Sequence, residues 1–168
     1  MNIFYTDPDP TKAAQSLPDR HIVKMPVEAV QMLVSACVRH DLQPNVVTKK
    51  GTIHKGGYHR HPCTVWAGDS RENADWLYRW GVALCKEYTK RYGKTHFAEG
   101  QLEQLSRTVS LIPASSFTSP AQAMPDECKD ADPVVAYRNC IRHKLETRPG
   151  VFVWNKGTPM PEWLTITA

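Results

Sequence analysis

Asp19-Arg20-His21-Ile22-Val23-Lys24-Met25-Pro26-Val27-Glu28 opens the most strongly patterned segment of the chain. From residue 20 to about residue 40, Val23, Val27, Val30, Leu33, Val34 and Val38 recur at spacings of three and four, the repeat of a helix with one face turned to a core. Asp19 is of the residue type that caps such a helix. Pro26 has no amide donor and its ring crowds the carbonyl four residues earlier, which predicts a kink or a fresh helix start there. If the helix is continuous through Pro26, His21 and Glu28 stand nearly two turns apart on one face, with Lys24 beside them.

Punctuation on either side extends the helical reading. Asp9-Pro10 pairs a capping side chain with proline at the first helical position and opens a short helix that ends near Leu17, before Pro18. Residues 41–61 are polar, contain glycine and carry Lys49, Lys50, His54, Lys55, His59 and Arg60, which makes them a candidate contact loop. Asp69 and Glu72 have capping-box spacing ahead of a helix running to about Tyr92, where Gly93 stops it. Trp76, Leu77, Trp80, Leu84 and Tyr88 share one side of that helix, and Arg79, Lys86 and Lys90 cluster on roughly the other.

A shorter helix over 99–108, a proline-rich crossing over 113–125 and a helix opened by Asp132-Pro133 through about Glu146 follow. Trp154 and Trp163 read as aromatic anchors of the tail. A short strand over 151–154 is conceivable, but no alternating run of useful length exists. The expected fold class is all-α: one helical domain over 1–168 with long loops and an aromatic C-terminal tail.

A chain of 168 residues, 41% hydrophobic and 23% charged, can bury one core, which excludes disordered and fibrous classes. Lys and Arg number 21 against 17 Asp and Glu, a net charge of +4 that permits a polyanionic partner without requiring one. The N-terminus lacks a secretory pattern, and the apolar stretch 29–38 is short and interrupted, so a cytoplasmic protein with no membrane contact is expected. The five cysteines are odd in number and lack a C-x-x-C pair, which fits buried free thiols in a reducing compartment. His59-x-His61-x-Cys63 carries zinc-ligand residue types but no fourth ligand at a recognisable spacing, so neither metal nor cofactor is expected.

A carboxylate, an imidazole and an amine on one helix edge can hold or move protons and stabilise a developing cation. The bland alternative is a solvated face. Tyr58, Trp66 and Phe117 are candidates to stack on a base, against a plain core role.

The ungapped set Asp19, His21, Ile22 and Glu28 near the N-terminus resembles the bacteriophage pyrimidine-dimer DNA glycosylases, also called endonuclease V. Looser similarity lies in His61 ahead of a long helix ending Arg91-Tyr92-Gly93, and in Pro161-Glu162-Trp163. The resemblance implies a small helical enzyme, in a phage or bacterial setting, that cuts the glycosidic bond of a damaged or modified pyrimidine in double-stranded DNA and then breaks the strand at the abasic site. Glu28 would be the catalytic carboxylate, and His21 would contact the abasic sugar or backbone. The nucleophile would be the N-terminal α-amine, here that of Met1, since Asn2 disfavours removal of the methionine. An α-amine titrates near ~8 against ~10.4 for lysine, so a useful fraction is free to attack the anomeric carbon and form a Schiff base. Lys24 is the alternative amine. Val27 and Gln31 stand where the family carries arginines, so phosphate contacts would fall to Asn2, Arg20, Lys49, Lys50, Lys55, Arg60, His61, Arg79, Lys86 and Lys90. A monomer is expected. Two other readings stay open: the same site acting on a modified base or free nucleotide, and a non-catalytic DNA-binding protein that uses only the basic loop.

Overall fold

In the computed structural model, which describes residues 1–165, Thr11 N donates to Asp9 Oδ1 at 2.8 Å and Pro10 opens α1 (Pro10–Gln15) as the cap-plus-proline signal predicts. The chain turns at Leu17 and Pro18 into α2 (Asp19–Arg39). A second such turn, at His61-Pro62, starts α3 (Pro62–Asp69), which leads directly into α4 (Arg71–Tyr92). After α5 (Phe97–Val109) a long crossing with one 3-10 turn at Asp126–Cys128 reaches α6 (Pro133–Thr147), and α7 (Glu162–Thr165) closes the described chain. Among the described residues the β structure is one isolated bridge, Val47 to Ile53, and the class is all-α.

Several local expectations are corrected. α2 runs unbroken through Pro26, so no fresh helix starts there. Its apolar face is buried against α3, α4 and α5, which outweighs the one backbone bond that proline deletes. His96 braces this turn: Ala98 N donates to its Nδ1 (3.0 Å), so Nε2 carries the proton and donates to the Val23 carbonyl (3.0 Å). Asp19 does not cap α2; Pro18 holds the cap position without a side-chain bond, and the Asp19 carboxylate meets Arg91 instead. The expected box of Asp69 and Glu72 is absent because Asp69 ends α3, paired with Arg39 at 2.9 Å, and Ser70 caps α4 through Asn73 N. Residues 151–154 form no strand; Val153 O accepts from Asp19 N at 2.9 Å and ties the tail to the start of α2.

Pairing of Arg91 with Asp19 at one end and of Asp69 with Arg39 at the other makes α2 and α4 antiparallel. Gly81 permits their close approach, since a Cβ there would sit 3.3 Å from Ala29 Cβ and 3.2 Å from Leu102 on α5. Trp76 and Trp80 stack at 6.0 Å along the core face of α4. By length and mean hydropathy (1.3), α2 alone among the described helices could cross a bilayer, contrary to the expectation from 29–38, but 72% of that apolar window is buried inside the bundle.

Candidate active site

The start of the chain is folded inward by local chemistry. The Asn2 side-chain oxygen accepts from Ile3 N (2.7 Å) and Phe4 N (3.1 Å), and its amide donates to the Ala123 carbonyl (2.9 Å). Phe4 adopts a left-handed backbone (φ 37), and Ile3 is wholly buried, so Met1 is delivered onto α2 rather than into solvent. The Met1 amino nitrogen lies 3.5 Å from Glu28 Oε2. Lys24, one turn earlier on α2, reaches Oε1 of the same carboxylate at 3.0 Å, with 67% of its side chain exposed. Met1, Lys24, Val27, Glu28, Gln31 and Tyr58 line a cavity of about 360 Å³. A buried carboxylate held between two amines beside open space can exchange protons with either amine and can stabilise a cation formed there.

His21 stands behind this cavity rather than in its lining. Its ring packs edge-on to Phe4 (4.7 Å) and against Phe152 (5.2 Å), and its Nδ1 is buried without a partner. Burial, then the neighbouring Lys144, Lys24 and Arg20, push its pKa down to about 3, so the imidazole is neutral at physiological pH. His61 caps α3, its Nδ1 accepting from Cys63 N at 3.2 Å. Burial lowers the His61 pKa, the Met1 ammonium lowers it further and Glu28 opposes, which sets His61 within electrostatic reach of both. Cys63 lies beneath, 3.7 Å from the Tyr137 hydroxyl, its thiol pushed up to about 11 by burial.

Of the residues expected to face DNA, Arg20, Lys49, Lys50, Lys55 and Arg60 are exposed, and Lys49 lies over the Phe97 ring at 5.4 Å. Asn2 is spent on the internal bonds above. Arg79 pairs with Asp75 at 2.9 Å and shares a cavity with Lys86 and Asp9; Lys90 lines another with Thr158. The expected stripe of α4 thus lies toward α1 and the tail, not at the Met1–Glu28 cavity, because the opposite face of α4 is the one packed on α2. Trp66 is core, its indole donating to Thr118 O; Phe117 lines a separate cavity with Tyr5 and Trp76; Tyr58 is on the rim of the Met1–Glu28 cavity. His59, His61 and Cys63 do not converge, and no group of three metal-ligand side chains occurs among the described residues.

Sequence reading misses the basic side of α6. Lys144 lies 5.9 Å above the Phe4 ring and 5.6 Å above Phe152, and with His143, Arg148 and Asn2 it lines a cavity of about 260 Å³ next to the chain start. The signal is present in Arg138, Arg142, Lys144 and Arg148, a cationic run on a helix whose apolar positions alone define its core face.

Comparison with curated proteins and with solved structures returns no match to this chain. A family model described as pyrimidine dimer DNA glycosylase matches residues 1–99, a span that contains Met1, Lys24, Glu28, Tyr58 and His61. Ninety-nine of 168 residues are covered, and the chain belongs to the pyrimidine dimer DNA glycosylase family, whose members are enzymes acting on DNA.

Proposed function

We propose that this protein, acting as a monomer on double-stranded DNA, excises a damaged or modified pyrimidine through its N-terminal amine and then breaks the strand. The unprotonated Met1 amine attacks the anomeric carbon, and the carbon–nitrogen bond to the base breaks as the base departs with a proton. The sugar ring opens with proton transfer to its oxygen, leaving an iminium between Met1 N and the anomeric carbon. Loss of a proton from the adjacent sugar carbon expels the 3′ phosphate, and water then hydrolyses the imine to return the amine.

Glu28 supports three of these demands: it accepts a proton from the attacking ammonium, faces the iminium charge, and is the nearest carboxylate to receive the sugar proton. Lys24 orients Glu28 through Oε1 and is the rival nucleophile. The separation of 3.5 Å between Met1 N and Glu28 Oε2, at the wall of an open cavity, is the observation that carries this reading. His21, neutral and packed behind Phe4, serves as a wall that keeps water and counter-charge from the back of the site.

The test is borohydride trapping on duplexes carrying a pyrimidine dimer or an abasic site, with peptide mapping of the adduct and intact mass to verify that Met1 is retained. An adduct on the Met1 amine is expected, and Glu28→Gln should slow base release by about 10²–10⁴-fold without loss of folding. Absence of any adduct refutes the amine mechanism, and an adduct on Lys24 moves the nucleophile there.

A further inference from the structure

Residues 46–54 double back on themselves and end in a tight turn with two lysines at its tip. Val47 and Ile53 pair as an antiparallel bridge, and on one side of it His54 N donates to Val46 O at 2.8 Å. On the other side Thr48 N donates to Thr52 O at 2.8 Å and Gly51 N to Thr48 O at 2.9 Å, which makes Lys49 and Lys50 the two central residues of the turn. The Thr48 and Thr52 hydroxyls bond each other across its base at 2.9 Å. Gly51 takes the left-handed backbone (φ 77) that closes the turn, and a Cβ there would meet nothing within 4 Å. Lys49, Lys50 and Gly51 are all exposed, so the tip stands clear of the bundle.

The turn is fastened by its backbone, and its lysine side chains take no part in the fastening. Gln101 and Gln104, three apart on α5, take both polar groups of Val47: Gln101 Nε2 donates to Val47 O at 2.8 Å, and Gln104 Oε1 accepts from Val47 N at 3.1 Å. They supply the two bonds that a neighbouring strand would supply. Lys49 lies over the ring of Phe97, the first residue of α5. One residue earlier, His96 bonds the Val23 carbonyl of α2, and Glu28 follows Val23 by about 7.5 Å of helix rise. The tip is thus tied through α5 and α2 to the helix that carries the Glu28 carboxylate.

We propose that residues 48–51 are a fixed phosphate-binding projection that docks the duplex backbone at a set offset from the Met1–Glu28 site, with Gln101 and Gln104 as its positioning residues. This rests on the function proposed above and adds a contact that acts on DNA away from the reacting sugar. The occupant follows from charge: two adjacent ammonium groups at an exposed tip meet a polyanion that carries one negative charge per about 1.7 Å of duplex axis. Lysine side chains are costly to order, and a backbone already held still lowers the ordering cost of each contact. Phosphate contacts carry no sequence information, so the projection sets the register of the duplex and not the choice of lesion.

The test places neutral methylphosphonates one at a time along a duplex that carries an uncleavable abasic-site analogue, and measures binding by the parent and by Lys49→Ala/Lys50→Ala. In the parent, neutralising one or two phosphates at a single offset from the analogue should weaken binding, and at that offset the double variant should be indifferent. The double variant should also lose up to about 1.8 from the slope of log affinity against log salt, roughly 0.9 for each phosphate, equally on damaged and undamaged duplexes. Gln101→Ala/Gln104→Ala keeps both lysines, so it should keep that slope while the sensitive offset spreads over neighbouring phosphates. Gly51→Val is the second variant, because it strains the turn at positive φ without removing a charge or meeting another element, and it should spread the offset in the same way. A parent profile with no offset that depends on Lys49 and Lys50 overturns the projection. An offset left sharp in both the glutamine and the Gly51 variants overturns the positioning role. Borohydride trapping on a cleavable abasic duplex reads the amine separately: if the parent forms no adduct the amine mechanism fails while the methylphosphonate profile still decides the projection, and absence of duplex binding ends both.

Discussion

Replacing Arg91 by Met should be among the most destabilising single changes in this protein. The guanidinium is fully buried and serves four acceptors: Asp19 Oδ1 at 3.0 Å, Glu87 Oε1 at 2.9 Å, and the carbonyls of Leu17 (2.8 Å) and Gln15 (3.0 Å). Asp19 also accepts from Asn155 N at 2.7 Å, and the Thr158 hydroxyl donates to Glu87, so one cation joins the end of α1, the start of α2, the end of α4 and the tail. Methionine fills much of the volume but strands two carboxylates whose side chains are 8% and 4% exposed. Breaking a buried ion pair from one side costs about 3–5 kcal/mol, which at about 2–4 °C per kcal/mol for a chain of this size lowers Tm by roughly 6–20 °C. Urea and thermal unfolding measure it. Because the cost lies in the uncompensated carboxylates, adding Asp19→Asn and Glu87→Gln should recover a large part of the loss. A single-variant loss below about 1 kcal/mol, or a triple variant no milder than Arg91→Met, would refute the reasoning.

Two further outcomes follow from the site. Between pH 6.5 and 3 the unfolded chain takes up a proton that folded His21 refuses, so stability is lost as pH falls through that window; near pH 5, His21→Gln should reduce the slope by about 1 kcal/mol per pH unit, and an unchanged slope would contradict the burial of a neutral imidazole. Replacing Lys49, Lys50 and Arg60 by Ala should reduce the slope of log affinity against log salt by up to about 3, roughly 0.9 for each phosphate no longer neutralised; the same replacement of Arg79, Lys86 and Lys90 should change it far less, and the reverse ranking would move the DNA path to the α1 side.

What is legible in the sequence is local. The spacing of Val23, Val27, Val30 and Leu33 implies a helix with a core face, and the Asp-Pro pairs at 9–10 and 132–133 place two helix starts to the residue because cap and proline act within one turn. Lys24 and Glu28 meet for the same reason, being four apart on α2. Asp19 misleads because a carboxylate before a helix looks like a cap whether or not a distant arginine claims it, and Arg91 is remote in the chain. α3 is hidden because the histidine that caps it is not among the favoured capping types. The approach of Met1 to Glu28 has no local signature at all. It depends on the Asn2 bonds and the left-handed Phe4, and the expectation of it comes from likeness to a family, not from periodicity.

The family match ends at residue 99, yet the groups that place the amine do not. Asn2 is held by the Ala123 carbonyl, and Cys63 packs on the Tyr137 hydroxyl. Phe152 closes over His21, and Lys144 lies above Phe4. Without these, Phe4 loses Tyr137 and Lys144 as neighbours and Asn2 loses its far anchor, while Phe4 on His21 and Tyr5 on Trp76 still hold the chain start within residues 1–99. In the mechanism proposed above, residues 1–99 would carry the reacting groups, and the crossing segment, α6 and the tail would help to position them. Proximity is where an amine and a carboxylate differ from a surface ion pair, because a misplacement of about 1 Å can cost 10²-fold in rate. Under the proposed mechanism, substitutions at Tyr137 or Phe152 are expected to slow turnover through the placement of Met1, which single-turnover borohydride trapping measures.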